Sequence, residues 1–497
     1  MTFFAIQLVL GFYSRKIFLN YLGTEVLGLN TTATNILELL NIAELGIGAA
    51  VGFSLYKPLL DNDHSKICDI VSLQGHFYRR IAIGIIVCSL CVMAAFPWIF
   101  HKITLPLWYA YASFSVLLIS ALLGYFVNYR QIVLSSAQMD YKIRYSQTSW
   151  TIVKVACQMA AVAMLDHPYQ WWLLFELIFT LIGAYSLHRA THKAFPFLRQ
   201  SQKTYCDLKK EYYFIITKVK QVFFHKIGGF AMTQTSPLII YAYISLDMVA
   251  LYGNYLLITS GIIRLSGAVF NSIGAGIGNL VAEGNIDKIT TVFRELFSMR
   301  FVFSATLTFT TIMIAQDFVK LWVGGEYLLP FSTLAILCGT LFISLLRSTV
   351  DLYINAYGLY QDIWAPVAEA AINIGLSLLL GYHFGLNGIL AGVLISLCLV
   401  MGVWKPFFLF RYGLKTSVGV YFKIFFEHLF VAILVATAVA WIATMVPIDP
   451  SASYGALALY TAICALSFLV LFSAIACAFR MGLNLFLSRI FTLILKK

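Results

Sequence analysis

The segment IGAAVGFSLYKPLLDNDHSKI, residues 47–67, returns in outline as IGAGIGNLVAEGNIDKI at residues 273–289. Each copy starts with small and apolar residues and ends in an Asp followed by Lys-Ile. A second pair, SAQMDYKIRYSQTSWTI and NAYGLYQDIWAPVAEAAINI, occurs in the same order, and both pairs are offset by about 220 residues. Matches in the same order and at the same spacing predict a chain built from two copies of one unit.

The composition excludes a soluble protein. The 497 residues are 60% hydrophobic and only 11% charged, with a mean hydropathy of +0.84, whereas soluble domains carry about 25% charged residues. We therefore expect an all-α polytopic membrane protein. The net charge of +12 lies mostly in short loops, without a nucleic-acid-binding motif, so no nucleic acid partner is expected. The nine cysteines show no metal-ligand spacing, so no metal is expected.

Stretches of about 20 mostly apolar residues predict about fourteen transmembrane helices. Their approximate bounds are 1–20, 27–56, 81–100, 107–128, 147–165, 169–187, 221–245, 250–282, 296–316, 329–352, 365–383, 386–404, 424–446 and 454–479.

The repeats group these spans into two lobes of six. Residues 1–187 form the predicted N-lobe, 188–220 a basic cytoplasmic linker and 221–404 the C-lobe, while 405–497 carry an appended helix pair and a cytoplasmic tail. An even number of spans per lobe makes the repeats parallel, and binding sites in such proteins lie between the halves.

The loops predict the orientation. If the N-terminus is cytoplasmic, the inside connections hold 26 Lys or Arg and the outside connections hold two, Lys102 and Lys320. This asymmetry places both termini in the cytoplasm. The longest outside loop, around DFVKLWVGGEYL, has about a dozen residues. It has no room for catalytic groups, so an enzyme is not expected.

Basic residues inside the spans suggest a polar cavity. There are six: Arg15, Lys16, Lys154, Lys226, Arg264 and Arg347. Arg264 lies about 20 Å from either end of its predicted span, at 1.5 Å per residue, and a guanidinium at that depth costs about 2.5–3.5 kcal/mol on insertion scales. We therefore expect Arg264 to line a cavity. Lys226, near the cytoplasmic start of span 7, would meet an incoming phosphate or serve as an ordinary anchor.

Acidic and amide residues suggest ion coupling. Glu369 and Asn373 share a helix face at positions i and i+4, and with Gln234 and Thr235 they would form an oxygen-rich site for Na⁺ or a proton. The alternative for these four residues is ordinary hydrogen bonding between helices. Glu44, on span 2, is a further candidate, and its alternative role is to pair with a nearby basic residue or with a helix terminus. No other cofactor is expected.

The stretch YLGTEVLGLNTTATNILELLNIAELGIGAAVGFSLYKPL, residues 21–59, resembles the opening of bacterial polysaccharide-export flippases. These proteins move O-antigen and capsule oligosaccharides linked to lipid and belong to the MATE-like multidrug/oligosaccharidyl-lipid/polysaccharide exporter superfamily. GNLVAEGN at 278–285 and GLNGILAGVLIS at 385–396 are similar to the same family.

The resemblance implies a V-shaped pair of lobes around a basic cavity in the bacterial inner membrane. An undecaprenyl-diphosphate-linked glycan would enter from the cytoplasm, and arginines on the first and eighth helices, here Arg15 and Arg264, would hold its diphosphate. Membrane lipids and polysaccharide polymerase or chain-length proteins are the implied partners. The family's lysine-rich loop after span 10 is YGLYQDIW here, without lysine. A MATE-type small-molecule or drug antiporter is the alternative function, although a fixed positive charge suits cationic drugs poorly.

Overall fold

The computed structural model describes residues 2–44, 46–101, 103–270, 273–359 and 361–495. Within these ranges the side chains of 2–5, 43, 49, 221–222, 224–233, 268, 275, 282 and 490–495 are not described. No strand occurs in the described ranges, and the predicted all-α fold class is confirmed.

Nineteen α-helices follow one another along the described chain. They are α1 (Thr2–Leu40), α2 (Ile47–Leu60), α3 (His64–Ala94), α4 (Phe96–Ile99), α5 (Trp108–Phe126), α6 (Gln131–Ser136), α7 (Asp140–Met164), α8 (Pro168–Ala194), α9 (Tyr205–Glu211), α10 (Tyr213–Tyr243), α11 (Leu246–Phe270), α12 (Gly274–Ala282), α13 (Ile286–Trp322), α14 (Phe331–Ala356), α15 (Trp364–Leu397), α16 (Lys405–Phe408), α17 (Val418–Thr444), α18 (Tyr454–Ala478) and α19 (Leu483–Leu495). Short 3₁₀ turns cover Asn41–Glu44, Asn128–Arg130 and Gly325–Tyr327, and π-helical stretches cover Cys398–Trp404 and Leu409–Leu414.

Each predicted span coincides with helix in the structure. Nine helical segments of the described chain are long and apolar enough to cross a membrane. The structure differs from the sequence prediction at the C-terminal end of span 12. Helical backbone continues through α16 to Leu414, so Lys405 belongs to a helix rather than to a cytoplasmic loop.

Helix α15 contains spans 11 and 12, which meet at Gly385 with a φ of +56°. A Cβ at Gly388 would lie 2.0 Å from the Leu380 carbonyl oxygen, and one at Gly392 would lie 2.5 Å from the Ser377 amide nitrogen. The backbones on the two sides of Gly385 are therefore in direct contact, as small residues at helix interfaces permit. These glycines belong to GLNGILAGVLIS, and they explain why that segment needs small residues.

The first repeated segment follows a helix break. Predicted span 2 is divided by the 3₁₀ turn Asn41–Glu44 and by Gly46, whose φ is +96°, and α2 then begins at Ile47. In predicted span 8, α11 is described as far as Phe270 and α12 begins at Gly274, while residues 271 and 272 lie outside the described chain. Each repeated segment thus contains a short helix, α2 or α12. A broken helix like that of span 2 is typical of transporter binding regions.

The chain forms two compact units, residues 1–250 and 251–497. In the first unit the predicted linker is not a loose connection. Leu208 and Ile215 are buried with residues of α3 and α8 in one core, and the Lys203 ammonium lies 2.8 Å from the Asp69 carboxylate of α3. This contact raises the pKa of Lys203. The functional lobe boundaries predicted from the sequence stay predictions.

In the second unit the appended helices share the main core. Phe468 and Phe472 of α18 and Tyr421 of α17 are buried with Phe297 and Phe301 of α13. The predicted cytoplasmic tail also contains α19, whose Arg489 guanidinium lies 2.9 Å from Glu295 of α13. The last 80 residues are therefore part of this unit's packing rather than an independent addition.

Candidate functional site

Arg264 projects from α11 as an exposed side chain. Among the residues that the structure describes, no hydrogen bond or ion pair holds its guanidinium. Arg264 lies on α11, six residues before Phe270, the last residue of this helix that the structure describes. Its role as a diphosphate ligand stays a prediction.

Arg15, the other predicted diphosphate ligand, has a different environment. One Nη atom donates a hydrogen bond of 3.0 Å to the backbone carbonyl of Ala250, and the side chain is partly buried within the first unit. The backbone contact fixes the direction of the guanidinium. A role for Arg15 in substrate binding stays a prediction, and the side chain of Lys226, on α10, lies outside the described residues.

Glu369 and Asn373 lie on one buried face of α15, as predicted. Both side chains are at most 1% exposed. Glu369 Oε1 and both polar atoms of the Asn373 amide have no hydrogen-bond partner in the part of the chain that the structure describes. Gln234 and Thr235 are half-buried on α10, which belongs to the first unit. The predicted four-residue ion site stays a prediction.

Glu44 lies at the interruption of span 2 and has polar neighbours. Its Oε1 accepts a 2.9 Å hydrogen bond from the Tyr78 hydroxyl, and the neighbouring Asn41 Oδ1 accepts one of 3.0 Å from Tyr125. These residues line a cavity of about 370 Å³. Gln74, also in the lining, is 1% exposed, and its Oε1 has no described partner. Within the described chain no basic side chain forms an ion pair with Glu44.

Two of the predicted intramembrane cations are neutralised by acids. The Lys154 ammonium lies 2.6 Å from Glu176 Oε1, and the Arg347 guanidinium lies 3.3 Å from Asp351 one turn further along α14. Arg264 has no acidic partner of this kind among the described residues. A search for three or more clustered metal-binding side chains finds none among the described residues.

Structural comparison finds the fold of this chain in solved transporter structures. No sequence-family model and no characterised protein sequence matches it. The structure of the lipid II flippase MurJ in an inward closed conformation is similar with a TM-score of 0.64 and 12% identity, over 96% of this chain and 100% of that one. An inward-facing multidrug resistance MATE family transporter of the MOP superfamily has a TM-score of 0.60 and 13% identity, over 82% and 95%. A MATE transporter from Vibrio cholerae, VcmN, has a TM-score of 0.51 and 13% identity, over 83% and 95%.

The chain has the MOP transporter fold. Identities of 12–13% establish the fold alone. The MOP relationship expected from residues 21–59 therefore holds at the level of the fold. Membership of the polysaccharide-export family stays a prediction.

One buried ion pair of this MOP fold was missed by the sequence prediction. Asp362 belongs to YGLYQDIW, the loop that lacks the family's lysines. Its carboxylate lies 2.8 Å from the Lys405 ammonium and accepts a 3.3 Å hydrogen bond from the Trp404 indole. Only the continuation of span 12 past residue 404 brings Lys405 to this position. No local sequence pattern connects two residues that are 43 positions apart.

Proposed function

We propose that the protein is a flippase for a polyprenyl-diphosphate-linked oligosaccharide. It moves an O-antigen, capsule or exopolysaccharide repeat unit from the cytoplasmic to the outer leaflet of a bacterial inner membrane by alternating access, with both termini in the cytoplasm. The observation that carries the proposal is Arg264, an exposed guanidinium without a described partner on an apolar helix.

The chemistry of arginine favours a diphosphate ligand. Guanidinium presents paired N–H donors that match two phosphate oxygens, and it stays charged at every physiological pH. The electrostatic attraction is stronger in a low-dielectric environment than in water. Binding of a lipid-linked diphosphate would offset the free energy cost of placing Arg264 in the membrane. An arginine that already pairs with a protein carboxylate would gain much less binding free energy from the same ligand.

Transport also needs a driving force, and Glu44 has the environment of a coupling group. A carboxylate that receives a tyrosine hydrogen bond and borders a polar cavity can take up a proton or Na⁺. Glu369, with Asn373 beside it, is the corresponding candidate in the second unit. Unsatisfied oxygen atoms in apolar surroundings are costly, and ion binding would satisfy them.

The alternative is a MATE-type antiporter for small molecules. Among the similar structures, one is named as a lipid II flippase and another as a multidrug resistance transporter, so the shared fold is compatible with both functions. An arginine without an acidic partner among the described residues favours an anionic substrate, and the carboxylates Glu44 and Glu369 would serve a cationic one.

Purified protein in liposomes distinguishes these functions. The assay follows a fluorescent polyprenyl-diphosphate sugar and, separately, a cationic dye, each with a Na⁺ or a pH gradient. We expect wild type to move the lipid, and we expect Glu44→Gln to abolish the acceleration by one of the two gradients. Movement of the dye without movement of the lipid would establish the alternative instead.

Arg264→Ala tests the substrate-binding role. Removing a charge-assisted hydrogen-bonding group costs about 1.5–3 kcal/mol, so lipid transport should fall about 10- to 100-fold. Arg264→Lys keeps the charge but loses the paired donors, and it should be intermediate. Arg144→Ala, at an exposed arginine near the start of α7, is the matched control and should transport normally. Full transport by Arg264→Ala would refute the proposal.

A further inference from the structure

A second polar cavity lies among helices of the first unit. It is lined by residues of α5, α6, α7 and α8 and of the segment between α5 and α6, and its volume is about 300 Å³. This is at the lower end of the approximately 300–1,000 Å³ found for small-molecule sites. None of the residues predicted to bind the diphosphate lines it. Two of its lining residues, Gly124 and Gln131, also line the cavity beside Glu44, so the two cavities are neighbours.

The charges of the cavity wall favour a neutral ligand. Lys154 is the only charged residue among the described residues that line it, and its ammonium is paired with Glu176 at 2.6 Å. The second carboxylate oxygen of Glu176 accepts a 3.0 Å hydrogen bond from Gln158. An ammonium has three N–H donors, so Lys154 retains donors for uncharged oxygen atoms while its net charge is balanced. A second anion would gain little here.

The remaining wall combines amides with aromatic rings. Gln131 and Gln147 line the cavity. Asn128 does so with a side chain that is 7% exposed, and its Oδ1 has no hydrogen-bond partner among the described residues. Each amide carries both donors and acceptors and can bond neighbouring hydroxyl groups. The rings of Trp150 and Phe179, with centroids 6.3 Å apart and planes 30° apart, add an apolar surface to the same wall.

We infer that this cavity binds one neutral sugar ring of the transported glycan. The hydroxyl groups bond the three amides and Lys154, and the C–H face of the ring packs on Trp150 and Phe179. The identity of the sugar-bearing ligand as a lipid-linked glycan rests on the proposed function. The preference for a neutral polyhydroxylated ring rests only on the residues of the cavity.

A space-filling variant tests the inference without removing any contact. Gly124 lines this cavity and also the one beside Glu44, so the test is read in binding and not in transport; a Cβ at this position would meet no atom within 4 Å. Leucine is a better helix former than glycine, so Gly124→Leu should fill the space while α5 remains stable. Trp150→Ala removes the aromatic surface instead. Gln170→Ala, at an exposed residue of α8 outside the cavity, is the control.

Binding is measured with two lipids on full-length protein in nanodiscs. The probes are undecaprenyl diphosphate and undecaprenyl diphosphate carrying an N-acetylhexosamine. We expect wild type and Gln170→Ala to bind the sugar-bearing lipid at least tenfold more tightly than the sugar-free lipid. Gly124→Leu and Trp150→Ala should abolish this difference and leave the affinity for the sugar-free lipid unchanged. An unchanged tenfold preference in both variants, with thermal unfolding as in wild type, would overturn the inference.

Free sugars distinguish failure of the inference from failure of the proposed function. Saturation-transfer NMR with methyl glycosides of neutral hexoses and N-acetylhexosamines reports on the cavity without a lipid. Glycoside binding that Trp150→Ala eliminates, at a residue that lines this cavity and not the one beside Glu44, supports the sugar site even if neither lipid binds, a result that would reject only the flippase proposal. If no glycoside binds wild type and the two lipids bind equally, the cavity holds water only and the inference is wrong.

Discussion

The charged side chains in the apolar helices differ in whether they form an ion pair with another described residue. Lys405 is buried against Asp362, and Lys154 is partly buried against Glu176. Arg264 is exposed and has no such partner in the described part of the chain. A buried pair stabilises a unique packing only while both members are present. An unpaired, exposed cation contributes nothing to packing and is suited to a ligand.

Losing either member of the pair Asp362–Lys405 should destabilise the protein strongly, whereas replacing both residues together should be tolerated. Asp362→Asn or Lys405→Met leaves one buried charge without its partner, which costs about 3–5 kcal/mol. The double variant should recover most of this loss. The measurement is thermal unfolding in detergent for the complete double-mutant cycle.

The exposed pair Lys288–Glu283, in which both side chains are about half exposed, is the control for that cycle. Breaking it should cost less than about 1 kcal/mol. If Asp362→Asn is no more destabilising than Glu283→Gln, Asp362 and Lys405 do not form a buried ion pair.

At the scale of elements, glycines and helix interruptions determine how the segments fit together. Gly388 and Gly392 allow direct backbone contact across the turn at Gly385. Gly46 and the preceding 3₁₀ turn interrupt span 2 beside Glu44. Glycine thus has two separate uses, which are close packing in α15 and a conformation with positive φ at Gly46.

Gly392→Ala should destabilise the second unit. Its Cβ would lie 2.5 Å from the Ser377 amide nitrogen, and relieving such overpacking costs about 1–3 kcal/mol. Gly375→Ala, on the same helix but with no atom within 4 Å of the new Cβ, should be neutral or stabilising by up to about 1 kcal/mol. Unfolding midpoints of the two variants provide the comparison, and equal midpoints would contradict the close contact.

At the scale of the whole molecule, the sequence predicted what long apolar segments and repeats encode. The all-α class follows from the hydrophobic length of the segments, and the transporter fold was implied by the family resemblance of segments such as residues 21–59. The interruption at Asn41–Glu44 was not predicted, because the segments on both sides of it are apolar. The short helix α9 and the terminal α19 were also missed, since neither is long enough to span a membrane.

The site was less predictable than the fold. Arg264 could be found because a charge in an apolar segment is conspicuous, and Glu369 and Asn373 because their spacing places them on one helix face. The cavity lined by Gln131, Gln147 and Trp150 brings together residues from separate helices. Such residues show no periodic pattern in the sequence, because they come together only when the helices pack.

The central claim is that Arg264 binds the diphosphate of a lipid carrier, and equilibrium binding of radiolabelled undecaprenyl diphosphate tests it most directly. Wild type should bind this lipid in preference to uncharged undecaprenol. Arg264→Gln should lose about 10- to 100-fold in affinity for the diphosphate, as expected for the loss of a charge-assisted contact of about 1.5–3 kcal/mol, with no change for undecaprenol. Equal affinity of wild type and Arg264→Gln for undecaprenyl diphosphate would contradict the account.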